Sequence, residues 1–348
     1  MSRQLALDTI ALKPVERFAH TEYSLEYHQA GLHRRVGPEP DTQASLRDLY
    51  AHWGMDFLWT VEDGLRGDWS KFGRCTNMGH AEYASDGSDM NLPTKCPFEA
   101  PEEVWAFDAV KEYGLPTMAE QVAAYESWLA RKRADFPDQL CTGGYYKTIV
   151  SGGIQAFGWD MLLEAAAEPD KMERVWDSFF RRTKFHMEAW AQTSVEAVIQ
   201  HDDFVWTAGA FMRPELYRAH IIPRYAELWK PLKRAGKKVL FCSDGDFREF
   251  AGDIVAAGAD GLIFEPVMDF AEMVARFGQT TALVGSAVDC RDLTFGTWET
   301  VKARVDRTLE LARTCRGVML AVGNHLPANI PAPILDQYRA YVLANRHR

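Results

Sequence analysis

Short apolar runs alternate with longer amphipathic stretches along most of the chain, and from about residue 190 onward the alternation is regular. Runs this short, rich in β-branched and aromatic residues and closed by Gly, Asp or Ser, read as buried strands. Eight segments fit: Arg17–Ser24, Gly54–Thr60, Lys147–Ile154, Ser194–Phe204, Val239–Gly245, a sixth over 257–266 that closes at Glu265, Thr281–Asp289 and Gly317–His325. Helical spacing falls between them, over 117–134, 158–166, 169–194, 214–234, 247–257, 269–277, 297–314 and 332–345. A short helix opens the chain and stops by Pro14. Another starts at Pro101 with Glu102 and Glu103 in its first turn, and Pro214 takes the first position of its helix. Eight parallel strands linked by helices predict an α/β fold, a (β/α)8 TIM barrel, as a single domain over 1–348.

The pattern breaks between the second and third strands. Residues 64–101 are rich in Gly, Asp and Asn and show little periodicity, so they read as an insertion, a lid or a dimer contact. Within it, Gly79–Asp89 fits either a hairpin or an extended loop.

Composition narrows the class. The chain has 348 residues, 47% hydrophobic and 25% charged, and a net charge of -10, which excludes the basic face of a nucleic-acid binder. Six scattered cysteines form no C-x-x-C pair, so reduced thiols are expected. The N-terminal residues offer no apolar leader, and no run is long enough to span a membrane, so a cytoplasmic protein is expected. Eleven tryptophans and 19 phenylalanines serve mainly the core, while Trp59 and Trp206, set beside acids and turns, are expected to line a pocket for a flat or apolar ligand.

In a barrel the C-terminal strand ends carry the chemistry. Here those ends hold His20 and Glu22, Glu62 and Asp63, His201 with Asp202 and Asp203, Cys242 with Asp244, Glu265, Asp289, and Asn324 with His325. So many acids at one mouth imply a cation, a shared proton or a basic substrate among them. Asp202 and Asp203 cannot both face inward from one strand, and Asp289 suits a loop anchor or helix cap. Cys242 with His325 and Glu265, or with His201, makes a mixed S/N/O set suited to Zn²⁺ with an open position. His201, Asp203, Asp244 and Asp63 are the expected catalytic residues. His20, Glu22, Trp59, Trp206 and Asn324 are expected to bind substrate.

The order of motifs carries a resemblance. H-D-D ends the fourth strand, followed by R-P-E-L-Y-R-A-H-I-I-P-R-Y, G-K-K-V-L-F-C-S-D-G, E-P after the sixth strand, V-G-S-A-V-D-C-R-D-L-T-F-G-T and G-N-H-L-P-A-N-I-P, with E-R-F near residue 17. Over about 190–335 the chain resembles the uroporphyrinogen decarboxylase superfamily, which also holds corrinoid-dependent methyltransferases. The resemblance implies a (β/α)8 barrel and a homodimer.

Decarboxylases of the family hold substrate carboxylates with N-terminal arginines and bind pyrrole nitrogens with an Asp after strand two, where Asp63 lies. The arginine-bearing segment reads Tyr27–Leu32, Y-H-Q-A-G-L, without its arginines. Thiol-methylating members bind zinc through His-x-Cys after strand five and Cys after strand eight. Here those places read F-C-S-D and G-N-H. What the resemblance leaves is a methyltransferase that takes a methyl group from a small methoxy- or methylamine-type donor to a separate corrinoid protein, with zinc as the expected metal. The alternatives are a cofactor-free decarboxylase using Asp63 and a non-catalytic ligand-binding barrel.

Overall fold

The structure is a computed structural model that describes residues 1–23, 25, 42–60, 69–78, 81–83, 89–91 and 95–348. Its strands are β1 (Ala19–His20), β2 (Phe57–Leu58), β3 (Ala81–Tyr83), β4 (Asp89–Asn91), β5 (Leu140–Cys141), β6 (Gly143–Tyr145), β7 (Ala197–His201), β8 (Lys238–Ser243), β9 (Gly261–Phe264), β10 (Ala282–Gly285) and β11 (Val318–Leu320). A seven-stranded parallel sheet runs β1-β11-β10-β9-β8-β7-β6, and β2 pairs with β5. Only Thr142 separates β5 from β6, so the two share one place in the ring.

Between β1 and β2 the gap is bridged by Asp56 N–H donating to the His20 carbonyl at 2.8 Å, and by Thr21 Oγ1 donating to the Phe57 carbonyl at 2.8 Å. The seven sheet strands plus β2 give eight places in an α/β barrel with helices outside.

Side chains alternate across each strand, so every second residue points into the lumen. Ala19, Phe57, Leu140, Ala197, Ile199, Leu240, Cys242, Ile263, Val284, Met319 and Ala321 fill it as one apolar cluster. The register sets His201, Cys242 and Ile263 at one level. Two residues further along each strand come Asp203, Asp244 and Glu265. The same parity that builds the core therefore delivers three acids to the mouth.

Seven of the eight expected strands lie where expected. The third does not. Lys147–Ile154 was expected as a strand, but Val150–Phe157 is a helix, and the strand is the preceding C-T-G-G-Y stretch. Two causes act together. The Asp202 carboxylate accepts from the N–H groups of Ile149, Val150 and Ser151 at 3.2, 3.1 and 2.7 Å, which caps the helix from another strand. Gly143, in the strand, lies under Trp190, whose ring a Cβ there would meet at 2.7 Å.

The helices follow the sequence reading closely. Thr117 and Glu120 form a reciprocal capping box for Met118–Asp135. Pro214 opens its helix, which passes through a π turn at Tyr217–Ile221 before continuing as Ile222–Arg234. Asp289 caps Cys290–Phe295 by accepting from Arg291 N–H at 2.8 Å, as its sequence context suggested. Within the insertion, β3 and β4 form an antiparallel hairpin with Tyr83 opposite Asp89. Thr76 ties this region to the barrel through its N–H to the Gln155 carbonyl at 2.6 Å. No described helix is long and apolar enough to cross a membrane.

Candidate functional site

β7, β8 and β9 end side by side, and their last inward residues meet. Asp203 is the hub. Its Oδ1 accepts from His201 Nε2 at 2.8 Å and from Asp244 N–H at 2.9 Å, and its Oδ2 accepts from the Tyr146 hydroxyl at 2.7 Å. The Tyr146 ring stacks on His201 at 4.2 Å between centroids, 25° from parallel. Ligand atoms of His201, Asp203 and Asp244 lie within 4.8 Å of one another, a grouping that can hold a metal ion. Glu265 stands beside them, accepting from Gly245 N–H at 2.7 Å and from the Asn324 side-chain amide.

Charge follows from this geometry. Burial alone opposes a charge on His201, but Asp203, and then Cys242, hold its pKa well above the ordinary imidazole value. Asp203 is buried too, yet His201, the Asp244 N–H and the Tyr146 hydroxyl push its carboxyl well below the usual range. Asp244 goes the other way: burial, then Asp203 and Glu265 as like charges, raise it well above an ordinary carboxyl. Burial raises Glu265 as well. The arrangement favours charge on the His201–Asp203 pair and a proton on Asp244 beside it.

Gly245 makes this arrangement possible. Its φ is +80°, and a Cβ there would meet the Trp206 carbonyl oxygen at 2.6 Å. That carbonyl accepts from Asp246 N–H at 2.9 Å, which fixes the turn carrying Asp244.

On the far side of the ring lies an aromatic strip. Tyr23 packs against Trp59 at 5.0 Å and against His325 at 4.8 Å, and its backbone bridges to His325. Asn324 links strip and acids, its amide on Glu265 and its Oδ1 accepting from His325 N–H at 2.6 Å.

Several expectations need correction. His20 and Glu22, expected to bind substrate, do not face the mouth. His20 Nδ1 meets the Trp53 carbonyl at 2.9 Å, and Glu22 accepts from Tyr338 and Val322 N–H at 2.8 Å each. Both side chains face outward; Glu22 ties the barrel to its last helix, Ala332–Asn345, and His20 Nε2 meets Glu22 Oε1 at 3.1 Å. Among the described residues, Cys242, Glu265 and His325 do not form a metal group; His201, Asp203 and Asp244 do. Cys242 lies two residues before Asp244 on the strand, about 6.6 Å deeper in the apolar lumen. Burial there pushes its thiol up to about 11. Trp206 lies on the rim, 46% exposed, with its ring on Trp159 and Phe211. Glu62 and Asp63 lie outside the described residues, as does Tyr27–Leu32.

Sequence reasoning missed Tyr146 and Tyr23. Each follows a strand end, which was the available signal, but the third strand was placed too late to expose Tyr146.

The sequence model of the uroporphyrinogen decarboxylase family matches residues 148–342, more than half of the 348. The chain belongs to that family. The match covers the strands that carry Asp203, Asp244, Glu265 and His325. No curated protein matches. Among solved structures, a methyltransferase from Methanosarcina mazei superposes with a TM-score of 0.62 at 15% identity, covering 99% of this chain and 97% of that one. This likeness is one of fold. A D-psicose 3-epimerase in the presence of D-fructose reaches a TM-score of 0.38 at 11% identity, covering 70% of this chain and 85% of that one. The D-psicose 3-epimerase of Clostridium cellulolyticum H10, with D-tagatose, also reaches 0.38, at 9% identity, covering 71% and 86%.

Proposed function

We propose that this family member is a methyltransferase that moves a methyl group from a small methoxy- or methylamine-type donor to a corrinoid protein. The observation that carries the reading is the place of Asp244 beside the hydrogen-bonded His201–Asp203 pair, where burial and the neighbouring acids raise its pKa. A methyl group leaves an ether oxygen or amine nitrogen only if that heteroatom is protonated or bound by a Lewis acid. Asp244 is placed to give the proton. Asp203, saturated by three donors, stays ionised and keeps the proton on its neighbour. The Methanosarcina mazei methyltransferase supports the reading through its shared fold.

The donor set also fits a divalent metal such as zinc. His201 Nδ1 is buried with no hydrogen-bond acceptor or donor oxygen or nitrogen against it among the described residues, and the Cys242 thiol stands close to the same ring. His201, Asp203 and Asp244 would hold the ion, releasing the protons that His201 and Asp244 carry. Bound there, it would supply Lewis acidity to the leaving heteroatom.

The second reading, a cofactor-free decarboxylase, rests on the family match itself, with Asp63 stabilising a protonated intermediate. Two measurements on the purified protein separate the readings: metal content, and demethylation of a methoxy or methylamine donor with cob(I)alamin as acceptor, followed by the cobalt absorption bands. Turnover of a carboxylated pyrrole by metal-free protein, with no transfer to cobalt, supports the decarboxylase.

A further inference from the structure

The mouth has two walls of opposite chemistry. Asp203, Asp244 and Glu265 follow β7, β8 and β9. Across the ring, His325, Tyr23 and Trp59 follow β11, β1 and β2. The three rings form a continuous strip, Trp59 to Tyr23 at 5.0 Å and Tyr23 to His325 at 4.8 Å. Trp59 also packs onto the lumen cluster that contains Cys242 and Ile263, so its ring closes the top of the barrel core.

One atom in this strip stands out. Trp59 Nε1 is buried and has no hydrogen-bond partner among the described residues. The indole N–H can only donate, and burying it unpaired costs its hydration without return. Other tryptophans of this chain avoid that cost. Trp105 donates to the Ala165 carbonyl at 3.1 Å, Trp190 to the Gly144 carbonyl at 3.0 Å, and Trp229 to Gln200 Oε1 at 2.5 Å. The unpaired indole nitrogen falls at the barrel mouth, beside Tyr23.

We propose that the Trp59–Tyr23–His325 strip binds a flat aromatic ring, and that Trp59 Nε1–H donates to an acceptor atom carried by that ring. Stacked and edge-on contacts favour a planar π surface over a saturated one, and an unpaired buried donor selects for a ligand acceptor. Resting on the methyl-transfer reading, the inference narrows the donor to a methoxyarene with a second ring acceptor. The ring lies on Trp59 and Tyr23, and the leaving oxygen reaches toward Asp244.

The test is calorimetric binding to the full chain of 1,3-dimethoxybenzene, methoxybenzene, methoxycyclohexane and the trimethylammonium ion. The dimethoxy probe should bind roughly tenfold more tightly than methoxybenzene, and methoxycyclohexane should bind more weakly still. Trp59→Phe keeps the ring and removes the N–H. It should erase the difference between the two aromatic probes. Tyr23→Leu should weaken both aromatic probes.

The proposal is overturned if no ring probe binds, if trimethylammonium binds as tightly as the dimethoxy probe, or if Trp59→Phe keeps the discrimination. Failure here is separable from failure of the function. Ring binding without methyl transfer to cobalt sinks the methyltransferase reading alone. Transfer from a methylamine without ring selectivity sinks this inference alone.

Discussion

Asp202 and Asp203 are adjacent in the chain and serve opposite sides of the barrel wall. Asp202 faces outward, where Tyr225 donates to it at 2.6 Å and Ile149, Val150 and Ser151 cap onto it. Asp203 faces inward and holds His201, Tyr146 and the Asp244 backbone. One acid therefore belongs to folding and the other to the site, a choice that strand parity forces and the sequence left open.

That division predicts opposite phenotypes. Asp202→Ala strips the N-terminus of a buried helix of its anion and leaves several buried donors unpaired, each loss worth about 1–3 kcal/mol. The protein should melt many degrees lower, or fail to accumulate. Asp203→Asn should stay folded and lose activity. Thermal denaturation beside a turnover assay checks both, and equal destabilisation by the two would contradict the assignment.

Metal binding should depend on His201, Asp203 and Asp244 and not on the thiol. Elemental analysis after loading with Zn²⁺ should give stoichiometric metal in the wild type and in Cys242→Ala. His201→Ala and Asp244→Asn should lose most of it. Loss in Cys242→Ala with retention in Asp244→Asn would return the site to the deeper, thiol-containing set.

Asp244 should impose a pH-dependent cost on stability. Its folded-state pKa is raised above the unfolded value, so the folded state binds the extra proton and stability falls as pH rises between the two values. In chelator-treated protein, Asp244→Asn should melt at the wild-type temperature near pH 4 and above it at pH 8, by about 2–4 °C for each kcal/mol relieved. His201 has its own window. Its raised pKa gives stability that is complete below the unfolded value near 6.5 and is lost as pH rises through the folded value. Asp203→Asn should therefore cost more at pH 6 than at pH 10.

Gly245 should tolerate no side chain. Gly245→Ala combines a φ of +80° with a Cβ at 2.6 Å from the Trp206 carbonyl oxygen. The turn must move, and Asp244 with it. A stability loss of at least about 1–2 kcal/mol is expected, with an activity loss larger than that destabilisation accounts for. Calorimetry and single-turnover rates would show the two effects separately.

Most strands were legible because each apolar run ends abruptly in a charged or thiol side chain, as at V-L-F-C-S-D and L-I-F-E-P. The third was hidden for a long-range reason. Its glycines are dictated by the overlying Trp190, and the I-V-S-G-G-I that resembles a strand is held helical by Asp202 from another strand. The candidate site was legible as a set of strand ends but not as a set of directions. His20 and Glu22 sit at a strand end yet face outward, and Cys242 sits one inward step below the acids. Tyr146 became visible only once the true third strand was placed.

The acid group at the mouth is proposed to serve methyl transfer. The most direct test is the rate of methyl transfer from a methoxylated aromatic donor to cob(I)alamin, wild type against Asp244→Asn, both treated with chelator. The account predicts turnover in the wild type and a loss of at least about 100-fold in the variant, the scale of a removed general acid. Equal rates in the two proteins, or no methylcobalt from any methyl donor alongside decarboxylation of a pyrrole acid, would contradict it.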